Sequence, residues 1–412
     1  GESQLLTLET AKDSMASYDD LGKIFKSSYI LEKGDYHFYI GTSVRDVIAL
    51  DYVMTLNANL LVEQLSSKAA PTSLKKRLLA DGSYEELPQG TANDPNACVF
   101  EKMVPGTEEA LAPATRGRGS YLLLNFYKEN AHPLIDVYEG KISLDEFTAQ
   151  LDNDDLIHLL GGQPNTSVAN TYGYGNLPEY GVPNIMTADG PAGLRITPQC
   201  EVCTTAWPCA TLLASTWNPA LVEQVGTAGA EEVKENNIAV WLTPAVNIHR
   251  NPLCGRNFEY YSEDPFLSGK MAAAVVRGVQ EEGTCGAVIK HFACNNQEDN
   301  RMGVDVHISE RALREIYLRG FEIAVKESAP VAIMTSYNRV NGVHAANSRA
   351  LCTVIAREEW GFDGVLMSDW STTAPEDGSI PWKCIEAGND LIMPGSETVS
   401  YTHLTLPTNS RV

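Results

Sequence analysis

The sequence predicts an α/β protein whose main domain is built on a parallel sheet, with a smaller β-rich segment before it. From about Gly181 onward, short apolar runs alternate with helix-length segments, which is typical of parallel strands covered by helices on both faces. Polar residues follow nearly every apolar run, as in a β/α barrel with its site at the carboxyl ends of the strands. No GxGxxG follows the first run, so a dinucleotide-binding sheet loses its main support. The periodicity by itself leaves both a doubly wound sheet and a barrel open.

The first part of the chain shows the period of two that characterises half-buried strands. Tyr36, Phe38 and Ile40 alternate with polar neighbours, and Val53–Val62 is a second candidate strand. We assign residues 1–100 to a small β-sandwich segment without candidate chemistry. The stretch that follows contains Pro, Gly and Thr without a period, and we assign residues 101–142 to a linker.

The main domain is predicted to span residues 143–398. Ser143 and Glu146 form a capping-box pattern that opens a first helix, and Asn153–Leu160 is a second helix. The predicted strands are Ile185–Thr187, Ile238–Thr243, Gly286–Ile289, Val331–Thr335, Gly364–Ser368 and Leu391–Met393, with Thr211–Ala214 as a shorter candidate. The later predicted helices are Pro219–Asn236, Asp264–Glu282, Ser309–Ser328 and Ser348–Trp360, with Ser309 and Ser348 as N-caps.

Composition and charge restrict the function. The chain has 412 residues and a net charge of −22, which argues against nucleic acid or an anionic membrane as a partner and suits a neutral substrate. No apolar run approaches the roughly 20 residues of a membrane span. Nine scattered cysteines are typical of reduced thiols, so we expect a cytoplasmic protein. The only cluster, Cys200-x-x-Cys203 with Cys209, is a weak zinc pattern, and we predict no metal and no cofactor.

The last residues correspond to translated adapter DNA. Residues 399–408 read VSYTHLTLPT, which is the translation of a transposase mosaic-end sequencing adapter. The codons for Asn409, Ser410 and Arg411 fit the variable index of such an adapter, and the codon for Val412 fits the constant sequence that follows the index. We therefore predict that the native sequence ends near Thr398 and that residues 399–412 are read-through into the adapter.

Polar side chains that follow successive predicted strands form the candidate site. Because the carboxyl ends of barrel strands meet at one mouth, we expect them to converge. A sugar ring offers neutral hydroxyls, from which carboxylates accept and to which cations donate, and aromatic side chains cover its apolar face. Phosphate would need a glycine-rich cradle, and none is evident. The side chains are Asp189, Arg256, Lys290, His291, Tyr337 and Asp369, with Trp370 directly after the last.

Five blocks of this sequence resemble glycoside hydrolase family 3, the β-glucosidase type. They lie in the family's order between about Leu144 and Pro394 and read ADGPAGLR, GRNFEYYSEDP, KHFACNNQEDNR, MTSYNRVNG and MSDW. The resemblance implies a (β/α)8-type barrel, incomplete in this chain, and a retaining, exo-acting β-glycosidase. It also implies a permuted domain order, in which a fibronectin III-like β-sandwich segment precedes the barrel.

The resemblance also implies roles for individual positions. Asp369 matches the catalytic nucleophile, and Asp189 matches the acid that holds substrate hydroxyls in the glycone subsite. We expect nearby cations to keep the nucleophile ionised by lowering its pKa. The further sugar-binding positions are Arg256, Lys290, His291 and Tyr337, with Arg195, Glu263 and Trp370 as neighbouring pocket positions.

Most of these residues also have a structural explanation. Asp369 fits the N-cap of a helix that follows a strand, and His291 fits a hydrogen-bonded core histidine. The remaining alternatives are a surface ion pair of Arg256 with Glu259 or Glu263, and core packing of Tyr337 and Trp370.

The catalytic acid/base cannot be assigned from this sequence, because the family usually carries it as a Glu on another domain. Glu298, Asp299 and Glu310 are nearby carboxylates, but each is more typical of a loop or a helix face. We interpret the chain as a fragment truncated at both ends. We expect it to form a glycosyl-enzyme from an activated aryl glucoside and to complete hydrolysis poorly or not at all.

The expected substrate is a β-linked oligosaccharide or an aryl glucoside. The short acid in ADG leaves room for the C6 hydroxymethyl of a glucose-like sugar. A β-xylosidase or α-L-arabinofuranosidase of the same family is the first alternative, and a catalytically incomplete carbohydrate-binding fragment is the second. A homo-oligomer is left open.

Overall fold

The computed structural model describes residues 5, 7–90 and 130–395, which fall into two compact units. The N-terminal unit comprises Gly1–Ala92 and His307–Glu315, and the barrel unit comprises Asn93–Val306 and Ile316–Val412. The predicted adapter-encoded segment and most of the predicted linker lie outside the described residues. The three boundaries between the four predicted segments therefore stay predictions.

The described part of the N-terminal unit consists of short antiparallel pairings. β1, β2 and β5 form one sheet, β3 and β4 form a hairpin, and β6 pairs with β7. Tyr36 and Phe38 are half-buried as the alternation predicts, whereas Ile40 is exposed. The predicted β structure is present, and its likeness to a fibronectin domain stays a prediction. The strands are β1 (Ser17–Tyr18), β2 (Ser28–Leu31), β3 (Gly34–Ser43), β4 (Asp46–Leu56), β5 (Leu60–Gln64), β6 (Lys76–Leu78) and β7 (Tyr84–Glu86).

The later segment of the N-terminal unit is tied to β1 by polar contacts. The Tyr18 amide donates to Glu315 Oε1 at 2.7 Å. Arg314 Nε donates to Glu310 Oε1 at 3.0 Å, and both side chains are buried. Glu310, a candidate carboxylate near the site in the sequence, is therefore occupied within this unit.

The barrel unit is organised around a six-stranded sheet in the order β16-β13-β11-β10-β9-β8. All neighbouring pairs are parallel except β8 and β9. β12, β14 and β15 form a separate small sheet. The strands are β8 (Gly173–Leu177), β9 (Val182–Ala188), β10 (Val240–Trp241), β11 (Gly286–Phe292), β12 (Asp305–Val306), β13 (Ala332–Thr335), β14 (Arg339–Val340), β15 (Val343–His344) and β16 (Val365–Ser368).

Isolated bridges connect the two edges of this sheet. Met367 on β16 pairs with Leu391, and the next residue, Ile392, pairs with Gly161. Gln163 then pairs with Gly173 at the start of β8. The backbone pairing thus returns to its starting strand through short extended segments, which agrees with a barrel and not with an open doubly wound sheet. The predicted barrel-like α/β fold is confirmed.

Helices follow most of the parallel strands, as the sequence predicts. Asn218 caps α5 by accepting from the Leu221 amide, and Asp264 caps α6 by accepting from the Phe266 amide. Among the described helices, none is both long and apolar enough to cross a membrane. The helices are α1 (Leu134–Tyr138), α2 (Leu144–Ala149), α3 (Asn153–Leu159), α4 (Ala210–Ser215), α5 (Pro219–Glu235), α6 (Pro265–Gln280), α7 (Glu310–Ala312), α8 (Arg319–Ser328) and α9 (Pro381–Glu386), with π-helical turns over Leu313–Tyr317 and Ala350–Glu359.

The short candidate strand Thr211–Ala214 is wrong, because these residues lie in α4. A run of four residues with mixed small and apolar side chains does not distinguish a strand from a helix by period. Leu213 and Ala214 are buried while Thr211 and Leu212 are exposed, which is a helical pattern.

The barrel interior is filled by one or two apolar side chains from each of several strands. Trp370 and Tyr174 pack against this cluster from its edge. β11 is buried along its whole length, as expected for a central parallel strand. The cluster consists of Val240, Leu242, Val288, Ala332, Met334, Met367, Leu391 and Met393.

Candidate active site

Five predicted site residues lie at the carboxyl ends of strands in the barrel sheet. Asp189 directly follows β9, and Asp369 directly follows β16. Lys290 and His291 lie near the end of β11, and Tyr337 lies two residues beyond β13. Because these strands run in the same direction, the five side chains emerge at one edge of the sheet.

A tight loop positions Asp189 and its first partner. Gly190 has φ +112°, and a Cβ there would lie 1.9 Å from the Gly193 carbonyl oxygen, so the turn requires glycine. The loop then returns, and the Arg195 amide donates to the Asp189 carbonyl at 2.9 Å. The Asn170 side chain accepts from the Asp189 amide at 3.0 Å. These contacts fix the backbone from which the carboxylate projects.

The Asp189 carboxylate is paired at both oxygens. Lys290 Nζ lies 2.5 Å from Oδ1, and Arg195 Nη1 lies 2.8 Å from Oδ2. Lys290 is buried, whereas the Arg195 side chain is 51% exposed. Burial raises the pKa of Asp189, but Lys290 and then Arg195 outweigh burial, and the pKa falls to about 2. Asp189 is therefore a fixed anion at neutral pH.

Arg256 lies between two glutamates. Its Nη2 is 2.8 Å from Glu259 Oε2, and its Nε is 4.0 Å from Glu298 Oε1. The pair with Glu259 that the sequence left open is present, but both side chains are largely buried, not at the surface. Burial lowers the pKa of Arg256, and nearby Tyr260, Glu259 and Asp369 raise it above its usual value. Arg256 is a permanent cation close to Asp369.

His291 is buried and neutral. Its Nε2 lies 3.9 Å from Asp369 Oδ2. Its backbone is clamped by Asn247, whose Oδ1 accepts from the His291 amide at 2.8 Å and whose Nδ2 donates to the His291 carbonyl at 2.9 Å. Burial, then Arg256 and Lys290, lower the pKa of His291 well below its usual value. The contact with Asp369 is therefore not an ion pair.

Asp369 has one anchored and one unengaged carboxylate oxygen. The Trp370 amide donates to Oδ1 at 2.7 Å. Oδ2 is buried and accepts no hydrogen bond from the residues that the structure describes. The Tyr337 hydroxyl donates to the Trp370 carbonyl at 2.8 Å and also interacts with the Asp369 carboxylate. One oxygen of the carboxylate is thus held by a backbone amide, while the other lies on the side of His291.

The pKa of Asp369 is raised, contrary to the expected lowering. Arg256 and Lys290 do lower it, as does Tyr337, but burial acts in the opposite direction and is the largest influence. Desolvation of a fully buried carboxylate outweighs cations that are already neutralised by other partners. Here Lys290 is paired with Asp189 and Arg256 with Glu259.

The two other predicted pocket positions differ. Trp370 is half-buried and packs against the barrel cluster, so its core-packing explanation holds alongside its position next to Asp369. Glu263 is exposed, and no hydrogen bond or ion pair links it to the other described site residues. The structure therefore does not bring Glu263 into the cluster.

Sequence reasoning missed three charged residues that contact the predicted site residues Arg256 and Tyr337. Glu259 was considered only as a surface partner of Arg256, and Glu298 only as a nearby carboxylate more typical of a loop or a helix face. Arg301, whose guanidinium lies 4.5 Å from the Tyr337 ring centre, was not considered at all. All three lie inside the family-like blocks, so charged residues within those blocks were the available signal.

No metal or redox cluster emerges in the described part of the chain. No group of three or more His, Cys, Asp or Glu residues there is arranged to hold a metal ion. Cys200 and Cys203 are exposed free thiols, and Cys209 is partly buried.

Comparison with known proteins decides the family. Residues 175–406 match the family described as "Glycosyl hydrolase family 3 N terminal domain". The chain belongs to glycosyl hydrolase family 3. The match covers all five blocks that suggested the family. It also enters the residues that we predict to be adapter-encoded, and that boundary stays a prediction.

Relatives in glycosyl hydrolase family 3 align with nearly the whole chain. "Beta-glucosidase A" of Butyrivibrio fibrisolvens is 54% identical over 399 residues, which are 95% of this chain and 47% of that protein. "Beta-glucosidase" of Ruminococcus albus is 39% identical over 412 residues, covering 95% of this chain and 41% of that protein. The chain thus spans less than half the length of these relatives.

Solved structures of the same family are similar to this fold. A β-glucosidase from Paenibacillus barengoltzii has a TM-score of 0.74 at 40% identity, covering 92% of this chain and 42% of that one. β-Glucosidase 3B from Thermotoga neapolitana in complex with glucose has a TM-score of 0.58 at 51% identity, covering 63% of this chain and 37% of that one.

Proposed function

We propose that this site is the glycone subsite of a retaining, exo-acting β-glucosidase, with Asp369 as the nucleophile. The observation that carries the proposal is the Asp369 carboxylate, in which Oδ1 is anchored and the buried Oδ2 accepts no hydrogen bond from the described residues. An attacking oxygen must be able to approach the anomeric carbon, while the rest of the carboxylate stays oriented. Oδ2 meets both requirements.

The surrounding groups suit a sugar ring. Asp189 is an ionised acceptor for hydroxyls, held by Lys290 and Arg195. Arg256 is a buried donor, and neutral His291 beside Asp369 can donate a hydrogen bond without adding charge. Charge-assisted hydrogen bonds to hydroxyls fix the orientation of the ring over the nucleophile.

Glucose is supported as the sugar by the relatives. The two relatives that align with 95% of this chain are named β-glucosidases, and the Thermotoga neapolitana structure holds glucose. In the reaction, Asp369 Oδ2 forms a bond to C1 as the bond from C1 to the leaving oxygen breaks, and water later releases the sugar. The leaving oxygen keeps the electron pair of the broken bond and takes a proton from an acid/base, which we do not assign to any residue of this chain.

A second sugar is favoured by one comparison. "Exo-alpha-(1->6)-L-arabinopyranosidase" of Bifidobacterium longum is 49% identical over 227 residues, covering 53% of this chain and 29% of that protein. An L-arabinopyranoside has a six-membered ring without the hydroxymethyl group of glucose. It replaces β-xylosidase and α-L-arabinofuranosidase as the best alternative specificity, and an incomplete carbohydrate-binding fragment remains the non-catalytic alternative.

Covalent trapping tests the proposal. The chain is incubated with a 2,4-dinitrophenyl 2-deoxy-2-fluoro-β-D-glucoside, whose leaving group needs no acid assistance. We expect one sugar per chain by intact mass and, after proteolysis, the modified peptide to contain Asp369. The corresponding fluorinated arabinopyranoside, run in parallel, should label more slowly if glucose is preferred.

The control exploits the two ends of one strand. Asp369 follows the carboxyl end of β16, whereas Asp363 is exposed near its amino end. Asp363→Asn should label like the parent chain, and Asp369→Asn should not label. Absence of labelling in a folded parent chain, or labelling on another residue, would refute the nucleophile assignment.

A further inference from the structure

We propose that Glu298 and Arg301 are positioning residues, which hold the Arg256 guanidinium and the Tyr337 ring in place beside Asp369. This inference rests on the proposed function of the same site. It also revises the sequence interpretation of Glu298, which treated this carboxylate as a loop residue or a candidate acid.

Glu298 and Arg301 form an ion pair with each other. Glu298 and Arg301 lie in the segment that follows β11, and Arg301 Nη1 is 3.0 Å from Glu298 Oε2. The Glu298 side chain is 21% exposed and the Arg301 side chain 37%. A pair of this exposure contributes little to stability by itself, so its contacts with neighbouring residues give it its significance.

The second oxygen of Glu298 contacts Asn295 and Arg256. Oε1 accepts from Asn295 Nδ2 at 3.0 Å and lies 4.0 Å from Arg256 Nε. Asn295 is buried, and its Nδ2 also lies 3.1 Å from the Tyr260 hydroxyl. One glutamate therefore faces two guanidinium groups and is fixed by a buried amide. Both of its oxygens are engaged as acceptors, which does not suit a proton donor to a leaving group.

Arg301 also stacks on the ring of Tyr337. The guanidinium carbon lies 4.5 Å from the ring centre, within the range of a cation–π contact. The Tyr337 hydroxyl in turn donates to the Trp370 carbonyl and interacts with Asp369. Arg301 thus packs against the ring whose hydroxyl is hydrogen-bonded to the residue next to the nucleophile, and a planar guanidinium stacks on a ring better than a lysine ammonium does.

Together these contacts form a chain from Arg256 through Glu298 and Arg301 to Tyr337 and Asp369. Arg256 also pairs with Glu259, so we expect the guanidinium to stay in place in Glu298→Gln but to lose one restraint on its orientation. Small misplacements of positioned groups cost up to about 100-fold in rate. We expect Glu298→Gln and Arg301→Met each to lower the second-order labelling rate constant about 10- to 100-fold, and Arg301→Lys to recover only part of it.

The experiment separates positioning from a general structural role. The rate constant for labelling of Asp369 by the fluorinated glucoside is measured over a range of reagent concentrations. The variants are Glu298→Gln, Arg301→Met, and Arg301→Met combined with Tyr337→Phe. If Arg301 acts through the Tyr337 hydroxyl, its loss should reduce the maximal rate constant strongly in the parent and by no more than about two-fold in the Tyr337→Phe background. Equal losses in both backgrounds would overturn the inference.

A matched ion pair elsewhere serves as the control. Arg277 Nε lies 2.9 Å from Glu223 Oε2, with 38% and 40% exposure, between α6 and α5. Arg277→Met and Glu223→Gln should leave labelling within about two-fold of the parent, because such pairs are energetically minor.

A second readout requires no reaction. 3-Fluorotyrosine placed at position 337 reports its surroundings by its fluorine resonance. The resonance should move in Arg301→Met and in Glu298→Gln and stay in place in Arg277→Met; an unchanged resonance in the first two variants would refute the linkage. If the parent chain does not label at all, the proposed function fails, and this spectrum still decides whether the positioning contacts exist.

Discussion

Asp189 and Asp369 are the same residue type at the ends of two strands of one sheet, yet their surroundings are opposite. Asp189 has a cation on each oxygen, and its pKa falls to about 2. Asp369 has one oxygen bound by a backbone amide and one unengaged among the described residues, and burial raises its pKa. A carboxylate with a cation on each oxygen is a fixed binding group, whereas a carboxylate with one unengaged oxygen remains able to react.

The largest expected effect comes from removing each carboxylate in turn. Asp369→Asn should abolish labelling by the fluorinated glucoside, a loss of about four orders of magnitude or more, because no other group replaces the attacking oxygen. Asp189→Asn should still be labelled at Asp369, more slowly and at higher reagent concentration. Intact-mass kinetics measure both variants. Equal residual rates in the two variants would remove the distinction between a binding and a reacting acid.

The second effect concerns folding and is expected on the Asp189 side only. Asp189→Asn leaves the buried Lys290 ammonium without its carboxylate, and the loss of one partner of a buried pair costs about 3–5 kcal/mol in the free energy of unfolding. Urea titration followed by far-UV circular dichroism measures it. Asp189→Asn combined with Lys290→Met should recover part of the loss, since no unpaired charge remains. A loss below about 1 kcal/mol in the single variant would mean that Lys290 finds other partners.

The pH dependence of labelling follows from the raised pKa of Asp369. Attack needs the ionised carboxylate, so the labelling rate constant should rise with pH through a midpoint above the usual aspartate value of about 3.9. Tyr337 lowers the pKa of Asp369, so Tyr337→Phe should shift the midpoint further upward. Asp189, with a pKa of about 2, does not titrate in that range. A midpoint that moves downward in Tyr337→Phe would contradict the assigned interaction.

The smallest effect separates the two cations that hold Asp189. Arg195 is 51% exposed, whereas Lys290 is buried. An exposed pair contributes about 0–1 kcal/mol, so Arg195→Met should change the free energy of unfolding within that range, and Asp369 should remain the labelled residue. Urea titration beside Lys290→Met provides the contrast. A loss in Arg195→Met as large as in Asp189→Asn would show that the exposed cation is the main partner.

Much of the barrel unit could be predicted from its sequence. The apolar runs that became β9, β11, β13 and β16 are continuous, as is typical of parallel strands. The predicted N-cap Ser309 accepts from the Ala312 amide at the start of α7. The predicted strand at Thr211–Ala214 was wrong because four residues are too few to show a period. The structure buries only one side of this segment, as expected for a helix at the surface. Leu391–Met393 contributes isolated bridges, not a regular strand.

The candidate site could be predicted in its residues but only partly in its electrostatics. The strand-end positions of Asp189, Lys290, His291, Tyr337 and Asp369 follow from sequence order, because parallel strands bring their ends together. The order of residues does not say which cation pairs with which acid. Glu263, eligible by sequence, remains at the surface, while Arg301 reaches the Tyr337 ring from the same segment as Glu298.

The α/β class, the family and the residues at the carboxyl edge of the sheet can be read from the sequence alone, since they depend on periodicity and on short motifs. The pairing of Lys290 with Asp189, the contact of Arg256 with buried Glu259 and the raised pKa of Asp369 become visible only in the folded chain. Packing of the strands and loops sets both the distance between two charges and the amount of water around them, even for near neighbours in the chain.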